Sequence, residues 1–252
     1  MSEIQTLARG LQIINALADA QDGLSITELG ERFGVDKGNM SRFLQTLANY
    51  GFAEKAPDNR RYYLGPQVVR LSRSLLTRMK LRETAKPFLD ELVKATGECA
   101  HLAILAQGQA LYIDQAESPS ALRVTTGVGT MAPLHCTALG KVLLAFANAP
   151  AAEHLDSFTI RTITDHAALQ GHLERVRKQG YAIDDEEFDA GVRCIAVPVC
   201  DYRDRCVAAI GVSGPTSRMS LESLPKVAQA VQEIGRSLSA RLSFRPNGGS
   251  SG

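Results

Sequence analysis

The sequence has no strong charge of either sign, no long apolar run and no closely spaced cysteine pair, and each absence narrows its function. The 252 residues carry a formal net charge of +1, so any contact with nucleic acid must come from a local basic cluster. No apolar run reaches the roughly 18 residues that a membrane-spanning helix needs, and no basic and apolar leader precedes the first predicted helix. We therefore expect a cytoplasmic protein without a membrane partner.

The five cysteines are scattered and form no CxxC pair, so neither a zinc site nor a dithiol redox motif is predicted. Cys200 and Cys206 flank a polar turn between two strand-like segments, which would let them approach each other across a hairpin. In the cytosol a reduced pair is expected rather than a disulfide. No metal ligand set and no cofactor motif is predicted.

The first part of the chain has the order of elements that is typical of a helix-turn-helix. Apolar residues recur every three or four positions from Ile4 to Leu17, which predicts a first helix. Ser25 and Glu28 have the spacing of a capping box, which predicts a second helix that begins here and ends at Phe33. After a tight turn, Asp36 is the predicted N-cap of a third helix. Helix, short helix, turn and helix in this order indicate a helix-turn-helix.

The segment after the third helix changes from helical to strand-like periodicity. Phe52–Lys55 and Arg61–Leu64 are strand-like, and the residues between them have turn chemistry, so a hairpin wing is predicted. Residues 1–66 thus form a predicted winged helix-turn-helix. Residues 67–80 are amphipathic and predict a linker helix.

Residues 81–246 mix helical and strand-like patterns. Four predicted helices and four predicted strands, with several hairpins, indicate an α+β domain with one antiparallel sheet flanked by helices. The final residues 247–252, NGGSSG, predict a flexible tail or a remnant of a fusion sequence. The helices are predicted at Arg82–Ala95, Ala138–Ala147, Ala167–Gln179 and Leu224–Leu242, and the strands at Cys99–Ala106, Ala110–Gln115, Cys194–Val199 and Val207–Val212.

The third helix carries the residue types that a DNA-reading helix needs. Its apolar stripe is taken by the core, and the remaining positions offer cationic, amide and hydroxyl groups for phosphates and base edges. The glycine in its first turn would allow close approach to DNA. The alternative interpretation is a three-helix packing module whose polar face is simply solvated. The predicted DNA contacts are Lys37, Gly38, Asn39, Ser41, Arg42 and Gln45 on the helix, with Arg60 and Arg61 on the wing.

Several spaced segments carry a more specific signal than any helical pattern. They are Leu7–Leu11, Asn39–Leu47, Tyr62–Gly65, Leu134–Lys141, Gly180–Ala182, Asp185–Glu187, Gly191–Val199 and Val212–Pro215. With these segments in this order, the chain resembles the IclR family of bacterial transcription regulators over nearly its full length. The resemblance implies a GAF-like effector-binding domain after about residue 80. It also implies dimers, often paired into tetramers, on double-stranded operator DNA, with RNA polymerase as a further candidate partner.

The same resemblance implies a pocket for a small-molecule effector. Organic-acid sensors of the family can have a serine where this chain has Gly211, which implies a roomier pocket with one hydroxyl fewer. A larger ligand, such as an aromatic acid, is therefore expected rather than a small keto acid such as glyoxylate. The residues that the resemblance places in the pocket are Ala138, Leu139, Asp184, Val192, Cys194, Gly211 and Ser213.

Two other clusters invite a catalytic or metal-binding interpretation. Cys136 follows His135, as in a thiol with a neighbouring base, but adjacent residues on a strand would point to opposite faces. The acidic run 184–187 lacks the spacing of a calcium loop and is more typical of a solvated loop, although Asp184 is a credible ligand contact. Arg193 is expected to brace this loop by pairing with Glu186 or Glu187, rather than to neutralise an acidic effector.

We therefore predict a DNA-binding transcription regulator that responds to a small organic acid, and not an enzyme. Two alternatives stay open. One is an enzyme that uses the N-terminal helices for oligomerisation, and the other is a ligand-storage or scaffolding protein that does not bind DNA.

Overall fold

The computed structural model describes residues 3–124 and 126–243, and the predicted tail at 247–252 lies outside the described residues. The chain divides into two compact units between Arg78 and Met79. The first unit has its own apolar core, and the second has one on each face of its sheet. None of the helices in the described part of the chain combines the length and apolar character that a membrane crossing demands.

The first unit is a winged helix-turn-helix followed by a further helix, as the sequence predicts. The two short strands pair antiparallel to form the wing. The helices are α1 (Gln5–Asp19), α2 (Ile26–Phe33), α3 (Lys37–Asn49) and α4 (Gln67–Arg78), and the strands are β1 (Ala53–Lys55) and β2 (Tyr62–Leu64).

Side-chain caps fix where α2 and α3 begin. The Ser25 hydroxyl accepts a hydrogen bond from the Glu28 backbone N–H at 3.2 Å, and the Glu28 carboxylate accepts one from the Ser25 N–H at 2.7 Å. Asp36 accepts from the Asn39 backbone N–H at 3.0 Å. These contacts satisfy N–H groups that have no partner within the helix. The predicted capping box and the predicted N-cap at Asp36 are both confirmed.

The apolar residues of α1 and its N-cap are divided between two surfaces of the helix. Ile13 and Leu17 enter the core of the first unit, whereas Ile4, Leu7 and Leu11 are 70%, 60% and 55% exposed. The periodicity is correct for a helix, but it marks two apolar surfaces and not one. Among the described residues this second surface is exposed to solvent.

The second unit is a six-stranded antiparallel sheet with helices on both faces. Its elements are α5 (Lys80–Thr96), β3 (Cys99–Ala106), β4 (Gln109–Ala116), β5 (Met131–Ala132), α6 (Ala138–Phe146), α7 (His166–Gln179), β6 (Ala182–Asp185), β7 (Val192–Cys200), β8 (Cys206–Pro215) and α8 (Leu224–Ser243). The strand order is β5-β4-β3-β8-β7-β6. Helices α5 and α8 cover one face and α6 and α7 the other, which confirms the predicted α+β arrangement.

Two short strands, β5 and β6, are absent from the sequence prediction. Strand β6 forms the edge beside β7 and contains Asp184 and Asp185, the first half of the acidic run. The expectation of a solvated loop is therefore wrong for these residues. Four acidic residues in a row are typical of a loop, but pairing with β7 here satisfies the backbone and buries one of the carboxyl groups.

Candidate functional site

The polar face of α3 is available to solvent. All six of its predicted DNA-contacting residues are exposed, and Arg60 is exposed on the wing. Met40 and Leu44 hold the opposite face in the core. A Cβ at position 38 would lie 3.2 Å from the Asp36 carboxylate, so glycine leaves room beside the N-cap. The helix therefore presents its N-terminal turn and its polar side chains without a covering element from its own unit.

Some of these side chains already have intramolecular partners. The Asn39 amide donates to Asp36 at 2.7 Å, and the Gln45 amide donates to Asn49 at 2.9 Å. Both contacts are exposed, so exchanging them for contacts with bases is inexpensive in free energy.

Arg61 has a structural position that the sequence did not indicate. Its guanidinium donates to the backbone oxygens of Asp22 and Gly23 and forms a 2.9 Å ion pair with Glu28. The hydrogen bonds from Ser25, and then the contact with Arg61, lower the pKa of Glu28 to about 2. Arg61 thus fastens the wing to the start of α2, while Arg60 is the more exposed of the two wing arginines.

The second unit contains a cavity between the sheet and the start of α6. All seven residues that the resemblance assigns to an effector pocket line it. Its volume is about 50 Å³, which is room for a few water molecules before any adjustment of the walls. The other lining residues are Tyr112, Val124, Thr126, Thr130, Ala132, Thr137, Phe188, Asp189, Ile195 and Val212.

The register of the sheet explains why three of the polar lining residues lie together. Ser213 on β8 is paired with Cys194 on β7, and Cys194 is paired with Asp184 on β6. Directly paired residues direct their side chains to the same face of a sheet. A row of hydroxyl, thiol and carboxyl groups therefore crosses the cavity floor, although the three residues are far apart in sequence.

Asp184 is the most strongly perturbed acid of the cavity. It is 2% exposed, and burial raises its pKa to about 7, against the opposing effect of Lys141. One carboxylate oxygen accepts from the Glu187 N–H at 2.8 Å and from the Phe188 N–H at 3.4 Å. Near neutral pH this carboxyl group is present in both its protonated and its ionised form.

A buried ion pair lies next to Asp184, and sequence reasoning missed it. Lys141 on α6 is 0% exposed, and its Nζ lies 2.5 Å from Glu187 Oε1. Burial raises the pKa of Glu187, and the ammonium group of Lys141 opposes that shift. The available signal was a single charged residue within the otherwise apolar segment 138–146. A lysine in such a segment needs a buried partner, and the acidic run supplies it.

Arg193 braces the acidic segment, as predicted, and Asp185 is its shorter contact there. Its Nε donates to Asp185 at 2.7 Å, and its guanidinium also contacts the Met219 carbonyl. Glu186 lies at 4.0 Å, and Glu187 is bound to Lys141 instead. Glu187 is therefore paired with Lys141 from α6. Asp185 and Glu186 contact both Arg193 from β7 and Arg161.

The interpretation of His135 and Cys136 changes in one respect. Both lie in the turn before α6, and not on a strand. The His135 ring contacts the Asp156 carbonyl at 2.9 Å, and burial raises the pKa of Cys136 to about 12. Because the thiolate is the nucleophilic form, this cysteine is poorly suited to covalent catalysis. Within residues 3–124 and 126–243 no group of three or more side chains could hold a metal ion.

The other two cysteines of interest face each other. Cys200 and Cys206 are paired across the β7–β8 hairpin, as expected, and both are free thiols. Burial raises the pKa of Cys206 to about 12 and also raises that of Cys200.

Gly211 does not enlarge the cavity as expected. A Cβ at this position would lie 2.2 Å from the Ile195 carbonyl oxygen and 2.8 Å from the Ala196 side chain. The space that a serine would need is filled by β7, so the glycine allows close strand packing. The missing hydroxyl is real, but the additional room is not.

Comparison with known proteins identifies both units. A profile of the IclR helix-turn-helix domain matches residues 6–57, and one of the bacterial transcriptional regulator IclR C-terminal domain matches residues 73–240. The HTH-type transcriptional regulator BhcR of Paracoccus denitrificans is 37% identical over 98% of this chain and 90% of its own. The HTH-type transcriptional regulator XynR of Escherichia coli is 34% identical over 97% of this chain and 99% of its own.

A solved structure agrees with this assignment. The IclR transcriptional regulator from Alicyclobacillus acidocaldarius superimposes with a TM-score of 0.79 at 26% identity, covering 95% of this chain and 99% of that one. Its likeness extends over both units, as do the two family profiles. The chain belongs to the IclR family of bacterial transcriptional regulators, and it is a DNA-binding transcriptional regulator.

Proposed function

We propose that this regulator reads operator DNA with α3 and the wing, and that a small organic acid bound in the cavity of the second unit modulates this activity. The observation that carries the effector half is the convergence of the α6 N-terminus, Ser213 and a carboxyl group with a raised pKa on one enclosed space. It is not an enzyme, and its place of action is the cytoplasm, where operator DNA lies.

On the DNA side, Lys37, Arg42 and Arg60 supply positive charge for phosphates or guanine edges. Asn39 and Gln45 form hydrogen bonds with adenine edges after giving up their exposed contacts. The Ser41 hydroxyl donates or accepts a hydrogen bond at a base edge or phosphate. Gly38 permits close approach of the helix N-terminus to the backbone. Arg61 acts by holding the hairpin against α2, with its remaining exposed surface directed to DNA.

On the effector side, the carboxylate of the acid lies at the N-terminus of α6. Thr137 caps this helix by accepting from the Gly140 N–H at 3.1 Å, which leaves the Ala138 and Leu139 N–H groups for a ligand. Helix N-termini favour anions through these N–H groups and the helix dipole. Among the described residues that line the cavity none is lysine or arginine, so a protonated Asp184 serves as a donor.

Tyr112 and Phe188 would contact the body of an aromatic acid, and Val192 adds apolar surface. A ring needs more space than about 50 Å³, so an aromatic acid requires the walls to move outward, whereas a small keto or hydroxy acid does not. The aromatic class is our first candidate because two aromatic side chains face the same space.

Self-association is part of the proposal. The exposed apolar side chains include Ile4 at the N-cap of α1, Leu7 and Leu11 on α1, and Val69 and Leu75 on α4. Apolar surface of this kind on a soluble protein favours burial against another chain. Dimers, or tetramers built from them, would place two α3 helices on a palindromic operator. RNA polymerase is a further candidate partner on the same DNA.

The experiment that tests the function is fluorescence anisotropy of the full chain on the DNA upstream of its own gene, at two salt concentrations, with a panel of aromatic and small organic acids. Specific binding should weaken with salt and respond to one class of acid. Ser213→Ala should bind DNA normally but lose the response. Sequence-independent binding, or operator binding that no acid alters, would contradict the corresponding half of the proposal.

The two rival functions have their own readouts. An enzyme would consume an acid of the panel, which nuclear magnetic resonance of the mixture would detect. A storage or scaffolding protein would bind an acid but would not retain operator DNA. The buried Cys136 thiol gives the enzyme no activated nucleophile, which is why we prefer regulation.

A further inference from the structure

One polar side chain beside the cavity has no partner. His101 on β3 is 1% exposed, and neither of its ring nitrogens forms a hydrogen bond within the described part of the chain. Leaving a buried donor or acceptor unpaired is costly, and most buried polar groups in folded proteins are bonded. An imidazole kept in this state calls for a ligand, a water molecule or a functional explanation.

The position of His101 relates it to the cavity. In the sheet register it lies directly opposite Gly211 on β8, and its ring makes an edge-to-face contact with Tyr112, with the centroids 5.6 Å apart. Both Gly211 and Tyr112 line the cavity. Because paired residues share a face of the sheet, the imidazole lies on the cavity side of the sheet, next to these two lining residues but not among the residues that line the cavity.

We propose that His101 determines effector specificity by hydrogen bonding a second oxygen, a hydroxyl or keto group, of an acid whose carboxylate lies at the α6 N-terminus. This rests on the proposed function of the cavity. His101 lies on the strand next to Ser213 and on the same face of the sheet, so a ligand that extends from the α6 N-terminus towards β3 would bring its second oxygen to the imidazole. The ligand class is a hydroxy or keto acid, aromatic or aliphatic.

The charge state of the imidazole agrees with a neutral oxygen as its partner. Burial lowers the pKa of His101 to about 4, so the ring is uncharged at neutral pH. A neutral imidazole has one donor and one acceptor nitrogen, which suits a hydroxyl or keto oxygen. It offers no positive charge to a second carboxylate, so dicarboxylic acids are disfavoured.

A purely structural alternative is a buried water molecule. Gln115 is the register partner of His101 on β4, and its Oε1 also lacks a partner among the described residues. A water bonded to both side chains would satisfy them without any ligand. The two explanations differ in what happens when each side chain is replaced.

The test is isothermal titration of matched acid pairs, benzoate with 4-hydroxybenzoate and acetate with glycolate, into the wild-type protein, His101→Phe and the control Gln115→Leu. For at least one pair we expect wild type to bind the hydroxylated acid about tenfold more tightly than its parent, the size of one hydrogen bond. His101→Phe should lose that preference with unchanged affinity for the parent acid, and Gln115→Leu should keep it.

A preference that survives in His101→Phe overturns the role of His101 and leaves the proposed function standing. Failure of wild type to bind any of the four acids contradicts the acid effector itself and removes the basis for this inference. If His101→Phe does not fold, the ¹⁵N resonances of the wild-type imidazole test whether His101 contacts the ligand. They should move on adding the preferred hydroxylated acid and not its parent, and equal responses overturn the proposal.

Discussion

Each unit of this regulator contains an ion pair between distant segments, and the two pairs lie in different environments. In the winged unit the ion pair of Arg61 and Glu28 has side chains that are 31% and 46% exposed, whereas Lys141 and Glu187 in the effector unit are 0% and 7% exposed. A surface that binds DNA phosphates needs cations accessible to solvent and to the partner. An enclosed cavity needs polar groups whose partners are fixed by the fold. Both pairs therefore hold segments of their own unit together, but the first does so in contact with solvent and the second does so shielded from it.

The largest expected effect follows from removing one partner of the buried pair. Lys141→Met leaves the Glu187 carboxyl group buried without its cation, next to Asp184, and should lower the free energy of unfolding by about 3 to 5 kcal/mol. Urea denaturation of the full chain, followed by circular dichroism, measures this. Arg61→Met, the matched change in the exposed pair, should have a much smaller effect because solvent replaces the lost contact.

The double variant Lys141→Met with Glu187→Leu is the control for the buried pair. It removes both charges and should recover much of the lost stability. If Lys141→Met and Arg61→Met lowered the free energy of unfolding by similar amounts, the proposed difference between the buried and the exposed pair would be wrong.

The second effect concerns pH. The pKa of Asp184 is raised from 3.8 to about 7 in the fold, so the folded protein binds this proton more tightly than the unfolded chain does. The tighter proton binding therefore adds to the free energy of unfolding. This addition is fully present below pH 3.8 and is lost as the pH rises through 7. Over that window the loss is up to about 4 kcal/mol, at about 1.4 kcal/mol per unit.

Asp184→Asn keeps an oxygen that accepts from the Glu187 and Phe188 N–H groups but does not titrate. The difference in unfolding free energy between wild type and this variant should therefore change in favour of the variant from pH 5 to pH 8. Urea denaturation at both pH values measures it. A difference that is constant with pH would mean that the carboxyl group of Asp184 ionises without a penalty.

The third prediction separates recognition from stability. Arg42→Ala removes an exposed cation of α3 and should weaken operator binding about ten- to a hundredfold, a range of 1 to 3 kcal/mol. Thermal unfolding should be unchanged, because the guanidinium is not part of the core. Fluorescence anisotropy with operator DNA measures the affinity, and calorimetry measures the thermal stability. A loss of stability equal to the loss of binding would show that α3 does not separate its reading face from its packing face.

The smallest expected effect is at the capping box. Ser25→Ala removes the acceptor of the Glu28 N–H and should destabilise the winged unit by about 1 kcal/mol. Ser25→Thr retains a hydroxyl group and should keep most of the stability that Ser25→Ala loses. Because local unfolding of one unit is the quantity of interest, hydrogen exchange of the α2 amides is the appropriate measurement. Protection equal to wild type in Ser25→Ala would contradict a stabilising cap.

Local signals in the sequence predicted the winged unit well. Ser25, Glu28 and Asp36 act within one turn of their own helices, so their pattern specifies the helix starts directly. Ile4, Leu7 and Leu11 were predicted to share one face of a helix, but the sequence did not indicate that this face is exposed, since periodicity shows which residues share a face and not what covers that face.

The effector unit was less predictable. Strand β6 was missed because its acidic residues disfavour a strand, and pairing with β7 outweighs that preference. The seven cavity residues came from family resemblance, and no spacing in the chain connects Ala138 with Asp184 or Ser213. The structure brings them around one cavity, and it adds His101 and the pair of Lys141 with Glu187, which no motif indicated.

The sequence by itself determined the order of elements, the caps of α2 and α3, the polar face of α3 and the family, because each of these depends on residues that are close in sequence or recur in a fixed order. The tertiary structure decided which charges are buried, which polar groups share the cavity floor and where Arg61 and Gly211 act. Burial and cross-strand register depend on contacts between distant segments, and the free energy of a charged side chain depends on those contacts more than on its own neighbours in the chain.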